Sequence, residues 1–382
     1  MGGGGVVGGD GSALEHRCIK FTDARKEHVM SPRITSLRTL FFAAFALLAF
    51  AIPASASAAQ HGSAVVFSQS WTTEGVEEGG LFAVKGGHQN QLTEDPADTE
   101  PSFSPDGRTI AFARDGHIYT VRPDGSGERR LTNGSTLDSR PQISPNGQIV
   151  VFERRSAEGQ PANLYTVRVN GGPATDLTPG PEEATEARFA PDGKTIAFVR
   201  TTLAGGSRVN ADLYSIRPSG SGLTRLTTTG RVDEFDPRYF AGGIVFSRGN
   251  QSEGPAGYAD IYTMKANGTK VKPLVEGVGS AYVEDVSPQA HTLIFRRDRG
   301  LWVKKIGPGK AKKVAELPDG SQTNSVFSSD GKSVATLIEA QGEQRLMAIN
   351  LADGRKTDLA EAYGEEASKD AFGPVIDWQP VR

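Results

Sequence analysis

The residues able to do chemistry are few and scattered. Beyond residue 59 the chain holds four histidines, His61, His88, His117 and His291, and its one cysteine is Cys18. A metal-assisted or general-base centre needs several such groups to converge. Here His88 and His291 are predicted in turns on one face, His117 in a turn on the opposite face, and His61 ahead of the first strand. There is no G-x-S-x-G elbow for a nucleophilic serine. A lone cysteine can form neither an internal disulfide nor a cysteine-rich metal site. These observations predict no enzymatic activity, no catalytic residue and no cofactor.

A second set of chemical residues recurs at one position. Glu100, Arg140, Glu186, Asp236 and Asn324 each stand three residues before an apolar anchor, namely Phe103, Ile143, Phe189, Tyr239 and Phe327. Val283 and Val375 complete the series. In a ring-shaped fold these positions are expected to line the mouth of a central channel. Glu100, Glu186 and Asp236 could hold a hard cation such as Ca2+ through oxygen ligands. No D-x-D-x-D loop accompanies them, so solvated carboxylates partly paired with Arg140 are the simpler expectation.

The elements that would position these residues are short strands. The 382 residues include 46 glycines and 22 prolines, a composition of many turns, which argues against an all-helical chain. Residues 101–132, PSFSPDGRTIAFARDGHIYTVRPDGSGERRLT, read as four strand-like pieces separated by Asp-Gly and Gly-Ser turns. The third piece recurs seven times, as LFAVK (81–85), IYTVR (118–122), LYTVR (164–168), LYSIR (213–217), IYTMK (261–265), LWVKK (301–305) and LMAIN (346–350). A fourth-strand aliphatic follows each copy. The first piece is missing from the first repeat, and VIDWQP (375–380) at the far end supplies it, with Trp378 at the anchor. Repeats of about 45 residues that cannot bury both sheet faces alone pack radially around an axis. The fold class expected is all-β: a seven-bladed β-propeller of four-stranded antiparallel blades, closed by a C-terminal strand, with six blades the alternative.

The N-terminal region reads separately. The apolar run 40–52 follows Arg33 and Arg38 and precedes ASASAA. Thirteen residues are short for a bilayer span, and the pattern is that of a secretory signal peptide. The expected division is residues 1–29 as a doubtful extension (Met30 being the alternative start), 30–59 as a cleaved signal peptide, and 60–382 as the propeller. Export to the periplasm or the exterior follows, with no stable membrane insertion after cleavage.

The net charge of −3 offers no field for nucleic acid. Blade topology puts tight Gly turns on one face and longer loops on the other, 68–80 and 201–211 among them. Binding residues concentrate on long loops of a rigid scaffold. The binding-face candidates are Trp71, Glu74, Glu77, Glu78, Arg208, Tyr258 and Tyr363. That face is rich in acidic residues, so its expected partner is a cationic or cation-bridged protein or envelope component, met by a monomer. Alternatively, Trp71, Tyr258 and Tyr363 would be sugar-stacking platforms of a carbohydrate-binding or carbohydrate-processing propeller.

SPDG (104–107), SPNG (144–147), APDG (190–193) and SSDG (328–331), followed by IAF, IY and LT, resemble the WD40-like repeat of TolB-type propellers. Related repeats occur in the periplasmic Tol translocation component, in propellers of prolyl-oligopeptidase-like peptidases and in many other secreted proteins. TolB itself resembles a six-bladed ring preceded by an α/β domain. The resemblance therefore implies a TolB-like propeller distinct from TolB, acting as a non-catalytic binding scaffold.

Overall fold

The computed structural model describes residues 64–379 apart from 74, 205–206, 231, 250–258, 278, 319–321, 341–342 and 361–375, all within the compact unit Ser55–Arg382. The leader assigned to 30–59 lies outside the described residues. Among the described residues there is no helix. Strands β1 (Val65–Thr73), β2 (Val76–Lys85) and β3 (His88–Gln91) begin the first blade. Blade 2 is β4 (Thr99–Phe103), β5 (Ile110–Arg114), β6 (His117–Val121) and β7 (Arg129–Arg130). Blade 3 is β8 (Leu137–Ile143), β9 (Ile149–Arg155), β10 (Asn163–Arg168) and β11 (Thr175–Asp176). Blade 4 is β12 (Glu183–Phe189), β13 (Ile196–Ala204), β14 (Ser207–Ile216) and β15 (Thr224–Arg225). Blade 5 is β16 (Asp233–Phe240), β17 (Gly243–Gly249), β18 (Ala259–Met264) and β19 (Lys272–Val275). Blade 6 is β20 (Ala281–Val286), β21 (Thr292–Arg297), β22 (Gly300–Lys305) and β23 (Lys312–Glu316). Blade 7 is β24 (Gln322–Phe327), β25 (Ser333–Ala340), β26 (Glu343–Asn350) and β27 (Lys356–Ala360).

The last strand, β28 (Ile376–Trp378), pairs antiparallel with β1, Val65 opposite Trp378 and Phe67 opposite Ile376. Seven four-stranded sheets result, and their innermost strands touch in a closed circuit, β28 meeting both β24 and β4. Gln379 fastens the joint: its N–H donates to the Ala64 carbonyl at 2.7 Å and its Nε2 to the Gly107 carbonyl of blade 2 at 2.8 Å. Trp378 is half-buried in the cluster that includes Val65, Phe67 and Leu337.

The repeat motifs have direct structural roles. Phe112, Phe152, Phe198, Phe246 and Phe295 of the second strands are fully buried, and each meets the aromatic of the third strand at 5.5–6.5 Å. Such buried phenylalanines are each worth about 3–5 kcal/mol against alanine. In the Leu-Thr pairs, the leucine is buried and the threonine hydroxyl accepts the third-strand N–H: Thr93 from Leu81, Thr132 from Ile118, Thr178 from Leu164, Thr227 from Leu213, all at 2.8–2.9 Å. In the SPDG turn the Ser104 hydroxyl accepts the Thr109 N–H at 3.0 Å, and Gly107 takes φ 66.

Three blades depart from the short pattern. The β1–β2 ladder runs out to Thr73 opposite Val76, β13–β14 to Ala204 opposite Ser207, and β25–β26 to Ala340 opposite Glu343. The segments 68–80 and 201–211, expected as loops, are therefore largely extended hairpins. Gly80 permits the first of them, since a Cβ there would stand 2.1 Å from the Thr93 carbonyl oxygen. By blade topology all three hairpins rise from one face.

Candidate site at the central channel

The channel-mouth series sits in a repeated backbone irregularity. Glu100, Arg140, Glu186 and Asp236 all have φ between 50 and 57, left-handed for residues with a side chain. Each lies where the ladder between first and second strand shifts register, as between Thr185 and Arg188 or Phe235 and Arg238. A left-handed non-glycine residue costs roughly 1–2 kcal/mol, so something must hold it.

A ring of hydrogen bonds crosses every blade boundary, and it holds Arg140, Glu186 and Asp236 by their N–H groups. Glu100 Oε2 accepts the Arg140 N–H at 2.5 Å, and Glu153 Oε1 accepts the Glu186 N–H at 2.8 Å. Glu186 Oε2 accepts the Asp236 N–H at 2.6 Å, and the Ser247 hydroxyl accepts the Val283 N–H at 2.9 Å. Asp285 Oδ2 accepts the Phe327 N–H at 3.0 Å, Asn324 Oδ1 the Ile376 N–H at 3.2 Å, and Asp377 Oδ2 the Phe103 N–H at 2.7 Å. At Arg140, Glu186, Asp236 and Val283 the register shift frees an N–H from its ladder, and the preceding blade supplies the acceptor. Glu100, Glu186 and Asn324 are thus blade latches, while Arg140 stands 3.8 Å from Glu100 and 3.6 Å from Glu153.

A second ring, one residue before each anchor, was not singled out in the sequence. It runs Ser102, Gln142, Arg188, Arg238, Asp285, Val326, Asp377, all half-buried on the innermost strands. Strand alternation is the signal that would have found it: the anchor points between blades, so its predecessor points to the axis. Across the axis, Arg188 acts electrostatically on both Asp285 and Asp377. Burial pushes the Asp377 carboxyl up to about 7, against the pull of the Phe103 and Trp378 N–H groups. Burial and the neighbouring Glu186 push Asp236 to about 7. Burial likewise raises Glu284 and Asp285, and burial followed by Arg238 pushes Arg188 down to about 9. The channel has a basic side at blades 4 and 5 and an acidic side at blades 6 and 1.

The binding-face candidates are less concentrated. Glu77 and Glu78 are exposed on β2. Trp71 is half-buried, its ring 5.9 Å from Phe82 and its Nε1 donating to Glu78 at 3.0 Å. Glu74, Tyr258, Tyr363 and the side chain of Arg208 lie outside the described residues. Several acidic residues ascribed to that face are interior. Asp98, Asp138 and Glu234 are buried against Arg114, Arg154 and Arg248 at 2.5, 2.6 and 3.0 Å, and those guanidiniums lie 4.5–4.8 Å over Tyr119, Tyr165 and Tyr262. His117, expected in a solvated turn, opens β6 and is half-buried, with burial lowering its imidazole and Nδ1 unpaired. Among the described residues no three His, Cys, Asp or Glu side chains converge to hold a metal ion, Glu100, Glu186 and Asp236 included.

No protein-family model matches the chain. The Tol-Pal system protein TolB of Gluconobacter oxydans is 44% identical over 63 residues, 15% of this chain and only 14% of that protein. TolB from Acinetobacter baumannii superposes with a TM-score of 0.52 at 15% identity, covering 83% of each chain. An oligogalacturonate lyase in complex with manganese gives a TM-score of 0.59 at 14% identity, over 77% of this chain and 95% of that one. The chain is a seven-bladed propeller, a fold similar to that of TolB and of the lyase. The lyase corrects one expectation. Lack of a nucleophile elbow and of converging histidines predicts no catalysis, yet this fold also serves enzymes. The manganese in that structure has no counterpart cluster among the described residues here, so no step is derived through a metal.

Proposed function

We propose that the chain is exported and that its propeller docks a protein or other envelope component on the face carrying the three long hairpins. The observation that carries this reading is the extension of β1–β2, β13–β14 and β25–β26 past the blade body on one face, where they form walls around a rigid ring. Glu77 and Glu78 at the rim of the first wall suit a cationic or cation-bridged partner. The test is site-specific photocrosslinking from position 77 and, as the control, from position 310 on the opposite face. Adducts expected from position 77 fade as salt rises, because the attraction is screened over about 8 Å at physiological ionic strength. Equal labelling from both positions would remove the hairpin face from consideration. Export is tested by N-terminal sequencing of the mature protein, which should begin between Ser57 and Gln60.

A second reading, a carbohydrate-binding or carbohydrate-processing propeller, is favoured by one finding: the lyase is covered over 95% of its length, so a propeller alone makes up nearly that whole chain. Release of unsaturated sugar products from an acidic polysaccharide would support it over the docking role.

A further inference from the structure

We infer that the central channel binds a ligand carboxylate between the guanidinium groups of Arg188 and Arg238. This site is separate from the hairpin face and stands or falls without it. The two arginines occupy the same register on β12 and β16, the innermost strands of neighbouring blades, and those strands touch. Each is pinned through one nitrogen. Arg188 Nη1 donates to the Ala187 carbonyl at 2.9 Å, and Arg238 Nη1 to the Pro237 carbonyl at 3.1 Å. Gln142, with its amide turned to satisfy both ends, accepts from Arg188 Nη1 and donates to the Ala187 carbonyl, each at 3.0 Å. It acts as a positioning residue for Arg188. The Nε and Nη2 donors of both arginines have no acceptor among the described residues, and neither guanidinium has a carboxylate within 4 Å there.

That arrangement is anomalous within this molecule. Arg114, Arg154, Arg200 and Arg248 each hold a carboxylate at 2.5–3.0 Å. Arg188 and Arg238 instead stand at matching positions of touching strands, half-buried, and act on each other electrostatically. Of the acids around them, Glu186, Asp285 and Asp377 accept backbone N–H groups of the next blade, and Asp236 meets the Ser247 hydroxyl at 3.5 Å. Two like charges in a desolvated passage repel, and a bound anion relieves that repulsion. A planar carboxylate matches the guanidinium fork with two parallel hydrogen bonds. Glu186 and Asp236 also act electrostatically on Arg188, which penalises a phosphate dianion more than a singly charged carboxylate.

The carboxylate could belong to a sugar acid or to a peptide C-terminus, and calorimetric titration of the purified protein separates the two. The probes are D-glucuronate against D-glucose, N-acetyl-alanyl-alanine against its amide, and inorganic phosphate. At least one carboxylate is expected to saturate and to bind at least about tenfold more tightly than its neutral counterpart and than phosphate. Arg188→Gln and Arg238→Gln should each weaken it at least about tenfold, while Arg345→Gln on the surface should not. Saturation by glucuronate alone assigns a sugar acid, and by the dipeptide alone a chain terminus. If an arginine variant fails to fold, the 15N side-chain signals of the wild-type arginines decide: two Nε–Hε resonances should move on titration. Absence of saturation by either carboxylate, phosphate binding more tightly, or affinity unchanged in both variants would overturn the site.

Discussion

The two halves of the propeller reach the same inter-blade bond by different routes. In blades 2 to 5 the latch region is a bulge with a left-handed Glu100, Arg140, Glu186 or Asp236. In blades 6, 7 and 1 the acceptors are Asp285, Asn324 and Asp377, on strands with no left-handed side chain. The conserved quantity around the ring is an N–H in need of an acceptor at each boundary, not a residue type. The left-handed half accepts backbone strain two residues before each member of the inner ring. That is where Arg188 and Arg238 emerge. The half without left-handed side chains, in which blade 6 still shifts register between Val283 and Asp285, is the side on which chain closure is made.

The comparison can be broken most severely at closure. Deleting residues 374–382 removes β28, the Asp377 latch and the Gln379 fastenings together. The melting temperature should fall by more than about 10 °C, and an unprotected sheet edge should promote association, read by calorimetry and light scattering. Trp378→Ala alone, at a half-buried site, should cost about 2–3 kcal/mol in denaturant titration. Next come single latches. Glu186→Ala leaves the Asp236 N–H without its acceptor and should cost about 1–3 kcal/mol, whereas Glu186→Gln keeps an acceptor oxygen and should cost well under half of that. Asn324→Ala, in the unstrained half, should fall at about 1 kcal/mol.

Acidity provides a smaller test. Asp236 and Asp377 have folded-state values near 7 against an ordinary 3.8. The folded protein therefore binds more protons than the unfolded chain between about pH 4 and 7, and stability from these groups is lost as pH rises through 7. Denaturant midpoints should rise from pH 8 to pH 5.5, and Asp236→Asn should flatten that slope. The smallest effect is expected from Arg140→Gly. Relief of left-handed strain, about 1 kcal/mol, should nearly offset loss of its half-exposed contacts with Glu100 and Glu153, leaving a change within about 0.5 kcal/mol.

The blade count, the strand order and the role of Trp378 were legible because turn chemistry and two-residue alternation repeat along the chain. The bulges were not, because a single extra residue leaves the apolar pattern intact while rotating what lies beyond it. The series at Glu100 and Asp236 stands out by its charge, whereas the ring at Arg188 and Arg238 follows only from strand alternation around the anchors. The supposed one-sided acidic face ignored a second regular spacing: an arginine two residues after each of Phe112, Phe152, Phe198 and Phe246, which draws Asp98, Asp138, Glu182 and Glu234 into ion pairs. At 68–80 and 201–211, glycine and charged residues give the pattern of loops and mask strands that extend beyond the blade body.

The β1–β28 joint has a mechanical consequence. Val65 and Trp378 face each other at the same end of an antiparallel pair only three residues long. Tension drawn between the two ends of the propeller would load these hydrogen bonds one after another, as in a zipper, rather than all at once in shear. The ring should yield first at blade 1, at low force, while the other six blades remain stacked as an open arc.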